Sequence, residues 1–132
     1  MEALKHKKTF LFSIFFAVFT VSTINSYYKN SEKGEKIAVN ILEVLKENCD
    51  CKEIAQSTYS LGKQYSLNGG FTVERATYSL TDCNYTNFKD EVARIDKILK
   101  NKVKGIKDFD LIDLDFISDK EHKTATLTNT KK

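Results

Sequence analysis

FDLIDLDFISDKEHKTATLTN, residues 109–129, decides how this chain folds. Phe109–Ile117 alternates, with Ile112, Leu114 and Phe116 on one face and acidic residues on the other. Lys123–Asn129 alternates as well, with Ala125 and Leu127 on one face and Thr124, Thr126 and Thr128 on the other. A period of two is the signature of a strand with one buried face. A turn at Asp119-Lys120 sets Leu114 opposite Ala125 and Ile112 opposite Leu127. Apolar then meets apolar, and a slip of one residue would send the whole set to the wrong face. The stretch therefore predicts a β-hairpin.

Upstream of it the period changes to that of a helix. Phe88, Val92, Ile95 and Leu99 follow the i, i+4, i+7, i+11 series, thickened by Ile98. Asn87 is placed to cap this helix, with Asp90 three residues on, and Gly105 is placed to end it. Asp90 with Arg94 and Asp96 with Lys100 are i,i+4 pairs of the favourable orientation. Further back, Glu53–Leu61 alternates loosely, with Ala55, Tyr59 and Leu61 on one side and Gln56, Thr58 and Ser60 on the other. Phe71–Leu80 alternates with Ala76, Tyr78 and Leu80 together. Gly62 and Asn68-Gly69-Gly70 punctuate the segment between, so these read as two antiparallel strands. Before them, Ile37, Ile41, Val44 and Leu45 recur at helical spacing, widened by Ala38 and Leu42.

The order is thus α-β-β-α-β-β. It predicts an α+β domain with a four-stranded antiparallel sheet and both helices on one face. The domain spans residues 29–132, a length that suits one domain.

Residues 1–28 read differently. Lys5, Lys7 and Lys8 precede Thr9–Ile24, an uncharged run with five phenylalanines. A basic start followed by an apolar run is the pattern of an export signal. The uncharged stretch extends to Tyr28, long enough for a membrane anchor with Tyr27 and Tyr28 at the outer interface. Val21-Ser22-Thr23 and Ile24-Asn25-Ser26 are passable cleavage sites, neither of them a clean small-x-small motif. Cleaved signal or single-pass anchor through residues 9–28, either places the domain outside the cytoplasm, in the cell envelope or released.

Charge narrows the partners. The net charge of +3 is concentrated at the start: removing residues 1–26 leaves 18 basic groups against 17 acidic ones. Arg75 and Arg94 are the only arginines. A near-neutral domain short of arginine lacks the footprint of a nucleic-acid binder.

Three cysteines remain: Cys49, Cys51 and Cys83. Outside the cytoplasm they favour a structural disulfide from Cys51, or Cys49, to Cys83, with one thiol left over. The Cys49-Asp50-Cys51 spacing also admits a two-thiolate metal site or a redox pair. No other cofactor is called for.

The acidic cluster Asp108, Asp110, Asp113, Asp115 reads as a solvated strand face, with Asp113 and Asp115 opposite Thr126 and Thr124. Lys97, Lys100, Lys104 and Lys107 read as a solvated side of the second helix that also complements its dipole. His122, the only histidine outside the N-terminal segment, sits beside a predicted turn. There is no G-x-S-x-G, no glycine-rich phosphate loop and no H-E-x-x-H, so no catalytic residue is assigned. Asn84-Tyr85-Thr86 forms a glycosylation sequon, relevant only to a eukaryotic export route. The expectation is a non-enzymatic interaction or structural module of the cell envelope; the alternative is a small thiol-redox or copper-handling protein using Cys49 and Cys51.

Overall fold

A computed structural model of the chain describes residues 28–29, 31–62 and 73–129. The chain divides into two units, Met1–Lys33 and Gly34–Lys132, and the second holds the folded domain. The predicted signal or anchor, residues 1–28, lies outside the described residues except for Tyr28. Among the described residues no helix is long and apolar enough to cross a membrane.

Helix α1 (31–48) precedes strands β1 (Cys51–Gly62) and β2 (Val73–Cys83). Helix α2 (Phe88–Lys102), a single 3-10 turn (Ile106–Asp108), β3 (Leu111–Ile117) and β4 (His122–Thr128) follow. The four strands form one sheet in the order β1-β2-β3-β4. The predicted hairpin is present in its predicted register: Leu114 faces Ala125, Ile112 faces Leu127, Asp113 faces Thr126 and Asp115 faces Thr124.

The sheet is mixed, which corrects the antiparallel expectation. β1 pairs β2 and β3 pairs β4 antiparallel, but β2 and β3 run parallel, with Thr77 beside Asp113. The cause is α2. Its 15 residues rise about 22 Å and carry the chain back along the sheet. β3 therefore starts at the end where β2 started, as a helical crossover between parallel neighbours requires.

Strict alternation also fails in β1. A bulge interrupts the register between Gln56 and Thr58. The extra residue exchanges the two faces, so Ile54 enters the core before the bulge and Tyr59 packs against it afterwards. Ala55 is thereby parted from Tyr59 and Leu61, with which simple alternation had grouped it.

One core joins the helices to the sheet. Ile37, Ala38, Ile41, Val44 and Leu45 of α1 and Ile95 and Leu99 of α2 pack with Ala76, Tyr78, Leu80, Ile112, Leu114 and Phe116. These sheet residues alternate along their strands, so both helices cover the same face. Two glycines permit close approach. Gly34 is buried, and a Cβ there would lie 2.6 Å from the Glu74 carboxylate and closer still to the Tyr59 hydroxyl. Gly105 has φ +84° and follows α2, where a left-handed residue reverses the chain.

Capping follows the sequence in part. The Asn87 side chain accepts from the backbone N–H of Lys89 at 2.9 Å and of Asp90 at 3.3 Å. Lys100 pairs with Asp96 at 2.6 Å as expected. Arg94 instead takes Glu91, one turn back, at 2.6 Å, and its other nitrogen donates to the Asn48 carbonyl at 3.0 Å. An end carbonyl of α1 is thus capped from α2. At the C-terminal end, Asn129 Nδ2 donates to the carbonyls of Ile106 (2.8 Å) and Phe109 (2.9 Å), clamping the turn that leads into β3.

Candidate functional site

Two regions collect the residues that the sequence singled out: the face of the sheet away from the helices, and the end of the domain where the cysteines lie.

On the sheet face, β2 contributes Arg75, Thr77 and Ser79, β3 contributes Asp113 and Asp115, and β4 contributes Thr124 and Thr126. Asp113 sits at its centre. It is 3% exposed and is the buried charged residue among the described residues. Its parity places it opposite the core, so burial comes from its neighbours on the face. Arg75 Nε donates to Asp113 Oδ2, and Thr126 Oγ1 donates to Asp113 Oδ1 at 2.7 Å. Burial alone would push the Asp113 carboxyl up; the hydrogen bonds from Arg75, Thr126 and Thr77, with the Arg75 charge, outweigh it and hold it below the ordinary carboxylate range. The predicted solvated pair is therefore split. Asp113 is enclosed, while Asp115 remains partly open, bonded to Thr124 Oγ1 at 2.7 Å and 3.8 Å from His122 Nε2.

A measurable consequence follows for Asp113→Asn. Arg75 is 53% exposed, so water screens its share. The change should cost about 1–3 kcal/mol of unfolding free energy at pH 7, set by the enclosed hydrogen bonds. A folded pKa below the unfolded one gives stability that is present above about pH 4 and fades as pH falls through the folded value. Denaturant titrations at pH 7 and near pH 2.5 should show the gap between wild type and variant closing in acid. A constant gap would mean that the carboxylate charge is not involved.

At the other region, the sulfurs of Cys51 and Cys83 are 2.02 Å apart, within bonding distance, with Cα atoms 3.8 Å apart. They face one another across β1 and β2 and join the start of one strand to the end of the other. Cys49 is free. Burial pushes its thiol above the ordinary range, and the Arg94 guanidinium, 4.0 Å away, only partly offsets this. The two sulfurs of the Cys49-Asp50-Cys51 motif thus have different fates in this structure. Among the described residues no group of three or more His, Cys, Asp or Glu side chains could hold a metal ion. Beside this end an open cleft of about 560 Å³ runs between α1 and β1, lined by Leu42 and Ile54 with Lys46, Lys52 and Glu53.

His122 is 61% exposed at the start of β4, with its Nε2 3.8 Å from Asp115 Oδ1. Asn84 and Thr86 are both exposed between β2 and α2. Sequence reasoning places Arg75 on the open sheet face with Thr77, Thr124 and Thr126, and what it missed is the bond from Arg75 to Asp113. That link depends on the parallel β2–β3 pairing, and a single arginine in an alternating strand gives no hint of a partner 38 positions away.

No known protein family matches this chain, and neither a curated protein nor a solved structure matches it.

Proposed function

We propose that this chain is a non-enzymatic interaction or structural module of the cell envelope, tethered to the membrane through residues 9–28 or released by cleavage. The observation that carries the reading is the sheet face away from the helices. Asp113 accepts from Arg75 and Thr126, and Asp115 accepts from Thr124, which leaves a shaped polar surface on this face. Such a face suits contact with another polypeptide better than chemistry on a small molecule.

The compartment rests on the lysine-led apolar start, and a Cys51–Cys83 bond agrees with an oxidising side of the membrane. Against the thiol alternative weighs the engagement of Cys51 with Cys83. A copper or redox site would need the Cys51 sulfur free beside Cys49.

Fractionation tests the reading. The native product should sediment with membranes and resist a carbonate wash if anchored, or appear shortened in the exported fraction if cleaved. Full-length chain dissolved in the cytosol would end it.

A further inference from the structure

β4 is the last strand of the sheet, and its hydrogen-bond parity can be read from both ends of the hairpin. At the turn, the Ser118 N–H donates to the Glu121 carbonyl at 3.0 Å; at the far end, the Asn129 N–H donates to the Asp110 carbonyl at 3.1 Å. Antiparallel ladders alternate bonded and non-bonded pairs. With the observed register, Ile112–Leu127, Leu114–Ala125 and Phe116–Lys123 are bonded pairs. His122, Thr124, Thr126 and Thr128 then belong to non-bonded pairs, and their N–H and C=O groups point away from β3. All four residues are exposed.

The usual protections of a sheet edge are missing along this strand. It has no bulge in its register, no proline and no glycine. Its one lysine, Lys123, is drawn back from the edge: its ammonium lies 2.7 Å from Glu121 and over the Phe88 ring at 5.5 Å. The opposite edge, β1, differs. It carries the bulge near Ser57 and the charged pair Lys52–Asp82. Among the described residues, one edge is blunted and the other is open.

We propose that the β4 edge pairs with β4 of a second copy of this chain, antiparallel about Ala125, to make one sheet continuous across two copies. With Ala125 on the two-fold axis, Thr124 meets the partner's Thr126 and His122 meets the partner's Thr128. Every outward backbone group of the strand then finds a partner, about eight hydrogen bonds in all. Threonine faces threonine, a favourable cross-strand pair. Lys123 meets the partner's Leu127, so no like charges stand opposite; moving the axis to Lys123 would set lysine against lysine. A self-complementary strand is what a two-fold interface requires. The contact is small, so the association is weak in free solution and gains from any tether that confines two copies to one surface.

This deepens the interaction-module reading and rests on it for the tether alone. Cross-linking reports the edge wherever the chain resides, and fractionation reports the compartment whatever the edge does, so the two can fail separately.

The test uses the full chain in mild detergent with Cys49→Ser. Ala125→Cys places two thiols on the axis, where non-bonded partners have Cα atoms about 4.5 Å apart, within disulfide reach. Under mild oxidation it should yield covalent dimer roughly tenfold faster than Ser60→Cys on the exposed β1 edge. Adding Thr124→Pro should reduce dimer to the Ser60→Cys level without unfolding the domain, because the Thr124 N–H bonds nothing within the sheet. Thr128→Pro, at the strand end, repeats the test should the first proline perturb folding, as judged by circular dichroism. Equal rates for Ala125→Cys and Ser60→Cys, undiminished dimer with either folded proline variant, or cross-linking only to another protein would overturn the proposal.

Discussion

Reduction of the Cys51–Cys83 bond should lower the melting temperature of the domain by about 15–25 °C. The bond joins cysteines 32 positions apart in the sequence. In the chain-entropy account that constraint on the unfolded state is worth about 3–4 kcal/mol. A domain of roughly 100 residues has a stability of only about 5–15 kcal/mol, so the loss is a large share of the whole. Cys83→Ser should reproduce the shift and abolish any further effect of reductant. Cys49→Ser should do neither, costing about 1 kcal/mol or less, because Cys49 is only partly buried and bridges nothing. Circular dichroism melts of the three proteins, with and without reductant, check this. A reductant effect that survives in Cys83→Ser would mean that the sulfurs pair otherwise.

Tyr78→Ala should destabilise the domain by about 3–5 kcal/mol, the range for emptying a buried aromatic site. Tyr78 is 0% exposed at the centre of β2, beneath α1. Its hydroxyl donates to the Ala38 carbonyl at 2.8 Å, and burial pushes its pKa up, so the donor proton is retained. Tyr78→Phe keeps the ring and removes only that bond. Its cost should be about 1 kcal/mol, since a mid-helix carbonyl such as that of Ala38 also accepts within its own helix. Guanidinium unfolding of both variants separates packing from hydrogen bonding. Similar losses for the two would assign the importance of Tyr78 to its hydroxyl.

How much of this was legible beforehand depended on whether a contact was local. The β3–β4 register could be read because alternation in two adjacent segments favours the pairing that puts Ile112, Leu114, Ala125 and Leu127 on one face. The Asn87 cap was legible because a cap acts within three residues. Arg94 was assigned the wrong carboxylate, Asp90 in place of Glu91, since both lie within one turn and the Asn48 carbonyl fixes the guanidinium from another helix.

The parallel β2–β3 pairing was missed for a different reason. The pattern α-β-β-α-β-β reads as two similar halves, and two halves suggest two hairpins laid antiparallel. The decisive fact is the length of the connection, a helix between Cys83 and Leu111, which returns the chain to its starting end. That one error hid the candidate site. Without Thr77 beside Asp113, Arg75 has no reason to lie over the carboxylate, and Asp113 looks solvated. The β1 bulge did leave a trace. Ile54 and Tyr59 are five apart, and an odd interval between residues of one strand that pack on the same core requires an extra residue.

The Cys51–Cys83 staple is the part of the proposed exported module that thiol accounting tests most directly. Native protein is alkylated without reductant, digested and weighed. The account expects the label on Cys49 alone, with the Cys51 and Cys83 peptides recovered joined. Label on all three cysteines, or Cys49 found in the bridge, would contradict it.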